Sequence, residues 1–394
     1  MQFSLMFVVT SLQLGGAETQ VVNLARGHAE RGTQVAVVSL LGPGALGERV
    51  REAGIPLYCL NMPRGVPHPS GIFGLRRAIR QFKPTIVHGH MFHANLLTRA
   101  MRVICPMPVL VNTVHSLREA SERFGGASAK EFAYKWTDGL CDLTTTIAEA
   151  ATRRHIAIGA VPAHKIKTVH NGIFIPPEER YRNKDVRSRV RRDLGITDEF
   201  VWLSVGRFVP VKDFPNILTA FFEVARLNSK MSTLLIAGDG PLRSEMQEFA
   251  SREGLGDRVR FLGPRNDIGD LMTASDGLVL ASQEEGLSLV LLEAASHGLP
   301  IVATDVGGNR ETIPEENTGY LVPARDSHAL ADAMQALMNL PDEMRLAVGH
   351  RARKNAERRF ALSEILNEWE EVYRELLGRR GLPDNLIAKR AAAD

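Results

Sequence analysis

The chain reads as an α/β protein built from two doubly wound, Rossmann-like domains in tandem. Three observations lead there. Short apolar runs alternate with amphipathic helical stretches along most of the sequence, the pattern of a parallel sheet covered by helices on both faces. At 394 residues the chain is longer than one ordinary core organises. The alternation also breaks once, around residues 172–184 in GIFIPPEERYRNK, where two prolines and clustered charges mark an interdomain linker.

The elements follow in order. Residues 3–9 form a first buried strand. The opening MQFSLMFVVTSL is apolar enough for a signal peptide, yet it lacks a basic leading segment and runs into a Gly-Gly turn, as a buried strand does. A helix at 17–31 precedes strands at 34–40 and 56–60. A helix at 71–82, a strand at 85–88, another helix and a strand at 109–114 come next, and further units reach His170. Residues 1–178 are the expected N-terminal domain. A basic helix at 186–194 opens the second set, with strands at 200–206, 233–237, 258–262, 277–281, 301–304 and 319–322, so that 186–360 form the C-terminal domain. In the remainder, 361–394, a last helix carries a stripe of Ile365, Leu366, Trp369, Val372, Tyr373, Leu376 and Leu377 ahead of an AKRAAAD tail. That stripe needs a partner surface.

Composition narrows the function. A formal net charge of +3 is too weak to argue for nucleic acid. Cys59, Cys105 and Cys141 lie far apart without a C-x-x-C pair, which reads as buried thiols in a reducing compartment rather than a disulfide framework or zinc ribbon. No apolar run reaches the length of a membrane span. The expectation is a cytoplasmic protein, peripheral at most to the inner face of a membrane.

The chemistry concentrates in SQEEGLSLVLLEAASHGLPIVATDVGG, residues 282–308. A polar loop turns on Gly286 into an apolar helix that stops near Gly298, and a buried strand follows before the pair Gly307–Gly308. Glu285 and Glu293 bracket seven residues. If that spacing is helical, the two carboxylates lie on one face, on the order of 12 Å apart, suited to the two ends of a nucleotide sugar. The amides of Gly286, Leu287, Ser288 and Leu289 would sit at a helix N-terminus, where a diphosphate is stabilised. The bland alternative is a capping box, Ser282-x-x-Glu285, with Glu293 on a solvent face.

The string EGLSLVLLEAASHGLPIVATDVGG resembles the signature of family 4 of the retaining glycosyltransferases: E-x7-E, then G-x-P and a strand. Leu287-Ser288 departs from the aromatic-Gly of many members. The resemblance implies the GT-B fold, two Rossmann-like domains facing a cleft, with the C-terminal helix crossing back to the N-terminal domain. It also implies an acceptor-binding first domain and a nucleotide-sugar-binding second one. Glu293 would hold the ribose and Glu285 the sugar.

Other positions follow the same likeness. In VGRFVPVKDF, Arg207 and Lys212 could neutralise a diphosphate leaving group; in the family an Arg and a Lys at this spacing do so. Asp213 stands where Gly is frequent and is expected to cap the next helix. Gly15 and Gly16 of LQLGGAETQ match the family's N-domain loop as diphosphate or acceptor contacts. His115, ending VLVNTVH, matches a histidine that faces the donor sugar. His88, His90 and His93 count like metal ligands but lack a nearby carboxylate or Cys partner, so a rim near the acceptor is the expectation and zinc is not. AGDGPLR at 237–243 reads as a turn bordering the donor, and FLGPRND at 261–267 as the region holding the base.

The expected activity is metal-independent, retaining transfer from a nucleotide sugar, a UDP-sugar favoured, to a glycan or lipid-linked acceptor in surface polysaccharide or glycoconjugate synthesis. No cofactor is implied. The alternatives are a nucleotide-sugar epimerase of the same fold, told apart by its product, and a non-catalytic nucleotide-sugar binder. A phosphorylase would need a longer chain and a pyridoxal-binding lysine.

Overall fold

The computed structural model describes residues 3–63, 68–116, 129–181, 183–227 and 231–382; the AKRAAAD tail lies outside them. Two compact units divide the chain, Met1–Gly172 with Leu362–Asp394, and Ile173–Ala361. The predicted linker is thus split. Its first residue, Gly172, ends one unit, and the rest enters the other, where Glu178–Tyr181 form a short helix and Ile173 bridges to Ala361.

The first unit holds seven parallel strands: β1 (Ser4–Val9), β2 (Gln34–Ser39), β3 (Leu57–Cys59), β4 (Ile86–His90), β5 (Val109–Val114), β6 (Leu143–Thr146) and β7 (Ile166–Thr168). Their order is β3-β2-β1-β4-β5-β6-β7. Every residue of β1 is buried: Leu5, Phe7 and Val9 enter one core, Met6 and Val8 the other. This two-sided burial is why the N-terminal run is continuously apolar. Val9 pairs with Ser39 and with His90, so β1, β2 and β4 end level and their loops open on one edge.

Helix Leu362–Arg379 buries its seven-residue stripe in the same core as Val21, Val22 and Leu24 of helix Gly16–Glu30. The two helices come so close that a Cβ on Gly27 would lie 2.4 Å from Leu366 Cδ1. Arg31 secures the seat through Asn367, Glu370 and the Ser363 carbonyl, each at 2.9 Å.

In the second unit β8 (Phe200–Val205), β9 (Ser232–Ala237), β10 (Val259–Gly263), β11 (Gly277–Leu280), β12 (Ile301–Thr304) and β13 (Tyr320–Val322) run parallel in the order β10-β9-β8-β11-β12-β13. Both sheets reverse direction beside their first strand, between β1 and β4 and between β8 and β11. Open α/β sheets bind ligands at the carboxyl ends of the strands flanking such a reversal. Each unit therefore offers one edge for a site.

Candidate functional site

In the second unit the loops after β8 and β11 meet at the reversal. Lys212 ends the 3₁₀ turn Pro210–Lys212 and its Nζ donates to Glu285 Oε1 at 2.5 Å. The buried Ser282 hydroxyl donates to the same oxygen at 2.7 Å. Gln283 N–H bonds the Val211 carbonyl at 2.8 Å, and Thr304 on β12 donates to the Ser282 carbonyl at 2.6 Å. A carboxylate with one oxygen doubly engaged and the other without a partner among the described residues is held for a ligand on its free side. Arg207, exposed just after β8, makes no side-chain hydrogen bond or ion pair among the described residues.

The helical spacing of Glu285 and Glu293 does not hold. The helix is Leu289–Ser296 with Ser288 as N-cap, so Glu285 lies in the loop before it, and the carboxylates do not share a helix face. The loop is kept out of helix by its supports. Gly308 N–H bonds the Gly286 carbonyl at 2.9 Å, and Gly307, at φ +53°, lies so close that a Cβ would sit 1.7 Å from Glu285 O. The capping box fails too, since Ser282 binds the Glu285 carboxylate and neither residue caps the helix. What the helix does offer is an uncapped start: the amides of Gly286, Leu287, Ser288 and Leu289 have no acceptor among the described residues. Four such donors at the positive end of a helix dipole suit an anion.

Glu293 lies one turn into that helix, half-buried. Loss of water pushes its carboxyl up to about 7, since burial disfavours the charged form. Its own carbonyl accepts from His297 Nδ1 at 2.8 Å.

Neighbouring loops brace the site. Gly238 of AGDGPLR, at φ +142°, would place a Cβ 1.9 Å from Gly206 O. These glycines therefore let the β9 loop lie against the β8 loop, which no side chain would permit. Within FLGPRND, Arg265 grips Asp267 at 2.8 and 2.5 Å. Asp213 does not cap its helix with its side chain. It occupies the left-handed region at φ +48°, where glycine is unstrained, which accounts for the family's usual residue there.

In the first unit Gly15, the N-cap of helix Gly16–Glu30, has the Glu18 carboxylate folded over it; a Cβ would fall 2.4 Å from Glu18 Oε2. Ser11 donates to Glu18 Oε1 at 2.8 Å. Sequence reasoning passed over this pair. His115 follows β5, its Nε2 2.9 Å from His90 Nδ1. His88 and His90 do not form a rim: alternate residues of a central strand, they share one buried face, with ring centroids 4.0 Å apart. His88 bridges Tyr373 and Thr113 at 2.7 Å each. Burial holds His115 near 4 and His90 well below the usual imidazole range, so both are neutral at physiological pH. Of His88, His90 and His93, only His93 is exposed. Among the described residues no group of three or more His, Cys, Asp or Glu could hold a metal ion, and no helix is long and apolar enough to cross a membrane.

A cavity of about 710 Å³ opens elsewhere in the second unit, but Arg187 and Arg191 there are already paired to Asp276 at 2.6 Å each. Those two guanidiniums are spent internally.

Two family models match the chain: Glycosyltransferase Family 4 over residues 14–175 and Glycosyl transferases group 1 over 186–355. The chain is 33% identical over 219 residues to N-acetyl-alpha-D-glucosaminyl L-malate synthase of Bacillus anthracis, a match spanning 55% of each chain, so about half the length of that relative. It is 28% identical over 298 residues to UDP-Gal:alpha-D-GlcNAc-diphosphoundecaprenol alpha-1,3-galactosyltransferase of Escherichia coli, covering 73% of this chain and 75% of the other. The structure of Anabaena Alr3699/HepE in complex with UDP-glucose superposes with a TM-score of 0.81 at 23% identity, over 95% of this chain and all of that one.

Proposed function

The chain belongs to the glycosyl transferases of group 1, with a Glycosyltransferase Family 4 module ahead of it and the GT-B fold, and from that premise we propose that it moves a sugar, with retention, from a UDP-sugar to a glycan or lipid-linked acceptor. The observation that carries this reading is the Lys212–Glu285–Ser282 constellation at the sheet reversal, beside four amides that have no acceptor among the described residues. The diphosphate lies on those amides with Arg207 and Lys212 as counter-charges, and charge developing on the departing diphosphate is stabilised there. Glu293 accepts the ribose hydroxyls. Glu285 directs its free oxygen to the sugar. His115, neutral and oriented by His90, can offer a ligand of the first unit a hydrogen bond without carrying charge. The UDP in the neighbour's complex and in the relative's name supports uridine as the base.

The site needs no metal on this reading, because two cations and the helix start supply the positive charge and the sequence has no D-x-D at a strand end. UDP release with an acceptor is therefore expected to continue in excess EDTA, and proton NMR of the product is expected to show the donor's anomeric configuration. Turnover lost to EDTA and restored by magnesium or manganese overturns the mechanism; an inverted linkage removes the retaining assignment.

The same reading places the protein in the cytoplasm, against the inner membrane face in synthesis of surface polysaccharide or glycoconjugate. Its support is helix Pro69–Phe82. Leu75 and Ile79 of its stripe turn into the core, whereas Ile72 turns outward beside Phe73, 37% and 69% exposed. With Arg77 and Arg80 also exposed, an apolar tip and a basic flank face outward together. Anionic vesicles at low salt should carry the protein on flotation, at about 1 kcal/mol per cation. A triple change of Arg76, Arg80 and Lys83 to Glu should abolish it, and unchanged flotation of that variant excludes this face.

A further inference from the structure

We infer that Arg353 is a positioning residue for the donor site. It holds helix Leu289–Ser296 from the far end, so that the amides at the helix start and Glu293 stand where a nucleotide meets them. This rests on the glycosyl-transfer reading for what the helix is for, while the hold itself is measurable without a ligand.

The helix needs such support. It has eight residues, little more than two turns, and a helix that short is unstable in water without tertiary contacts. Its sequence, LVLLEAAS, carries no cation in the last turn, where the negative end of the dipole favours one. The last four carbonyls of a helix also lack partners within the ladder. Three find donors locally: Glu293 from His297 and the Ser296 hydroxyl, Ala294 from Leu299 N–H at 3.0 Å, and Ala295 from Gly298 N–H at 2.9 Å. The fourth, Ser296, accepts from Arg353. Burial holds His297 below the usual imidazole range, so its ring is neutral at physiological pH. The cation bonded to this end of the helix is Arg353.

Arg353 is itself fixed from several sides. It is buried on helix Asp342–Phe360. Besides Ser296, it donates to the Pro176 carbonyl at 2.8 Å, pairs through Nε with Glu357 at 2.8 Å, and sets its guanidinium 4.1 Å from the centre of the Tyr181 ring. An ion pair with Glu357, a partly exposed residue of the same helix, gives no reason to bury the guanidinium against two carbonyls from separate segments. One turn earlier, Gly349 comes so close to the loop after the donor helix that a Cβ would sit 1.9 Å from Gly298 O. No side chain cushions that contact, so a shift of one helix passes to the other. The donor helix starts about 12 Å from its Ser296 end, and Arg353 therefore acts on the nucleotide without touching it. Its second carbonyl extends the hold: Pro176 lies shortly after Ile173, where the chain enters this unit.

Hydrogen exchange on the full chain without ligand tests the hold. Arg353→Met should speed amide exchange in residues 289–296 about tenfold and leave β8 at the parent's rates, a local opening rather than a global one. Calorimetry with UDP tests the purpose: the same variant should bind UDP about tenfold more weakly, as expected when a distant change misplaces a binding group. Arg353→Lys keeps the charge but reaches one carbonyl where the planar fork reaches two. It should fall between the parent and the Met variant in both measurements, and it decides the matter if the Met variant does not fold. Arg351→Met is the control. It removes a guanidinium–carbonyl bond of the same kind from the same helix, to Asn317 at 2.8 Å, and should leave exchange in 289–296 and UDP affinity as in the parent. Unchanged exchange in that helix in both Arg353 variants, unchanged UDP affinity in both, or an equal loss from Arg351→Met overturns the assignment. Faster exchange in the Arg353 variants of a chain whose parent binds no UDP would keep the hold and lose the nucleotide reading.

Discussion

Lys212→Ala is expected to lower kcat/KM about 10²–10³-fold, the loss that follows removal of one preorganised donor at a developing negative charge. Two effects add. The substitution takes away a cation that the proposed mechanism sets against the diphosphate. It also strips Glu285 Oε1 of its 2.5 Å partner, leaving only the Ser282 hydroxyl to orient the carboxylate. Because Lys212 and Glu285 are both mostly shielded, with side-chain exposures of 21% and 13%, the orphaned carboxylate also loses favourable surroundings, and some stability goes with it. Thermal melting of the variant separates that cost from catalysis. Ser282→Ala should cost less, since it removes a neutral donor and keeps the ion pair. Lys212→Arg keeps the charge but brings a planar fork to a position built for a point charge, and should recover only part of the rate. If the loss appears in kcat and kcat/KM alike, Lys212 acts in the transition state. A rise in KM alone would make it a ground-state binder. A folded Lys212→Ala enzyme within threefold of the parent would remove Lys212 from the mechanism.

Much of this architecture was legible beforehand because parallel strands buried on both faces are written as uninterrupted apolar runs. β1, β8 and β12 are such runs, and each fell within a residue or two of its expected place. The helix stripe from Ile365 to Leu377 announced a buried face, but nothing in a stripe names the surface it covers. The seat on helix Gly16–Glu30 is set by Gly27 and Arg31, more than 330 residues away in sequence. In the candidate site, residue types were legible and geometry was not. The interval from Glu285 to Glu293 looked helical because its second half is. Its first half is held open by Gly307 and Gly308, which arrive from beyond β12 and whose support for the loop no local pattern reveals. Ser282 was visible only as a cap, since a serine three residues before a glutamate says nothing about whether it bonds backbone or carboxylate. The histidines show the same limit. H-x-H on a strand says that two rings share a face, whereas the link from His90 to His115 depends on β4 and β5 being neighbours.

Glu293→Gln is expected to stabilise the free protein and to weaken its nucleotide. The carboxyl ordinarily loses its proton near 4.5, and burial raises this to about 7 in the folded chain. An acid raised on folding is bound to its proton longer in the native state than in the unfolded one. Stability from this group therefore falls as pH climbs from about 4.5 to about 7 and stays low above it; at about 1.4 kcal/mol per pH unit the loss reaches roughly 3 kcal/mol. A neutral, isosteric amide escapes that loss. The variant should consequently melt above the parent at pH 8 and with it at pH 4.5, a difference that must shrink as pH drops. Binding should move the other way. Ribose hydroxyls donate to an ionised carboxylate, so the parent needs Glu293 deprotonated, and its UDP affinity should rise about tenfold between pH 6 and pH 8. The terminal phosphate of UDP titrates over part of the same range, but it does so equally against both proteins. The comparison of parent with variant therefore isolates the residue: the Gln protein should bind UDP more weakly at pH 8, with a smaller rise from pH 6. Equal affinities at pH 8 would take the ribose away from Glu293, and equal melting temperatures there would mean that its charge is met by water after all.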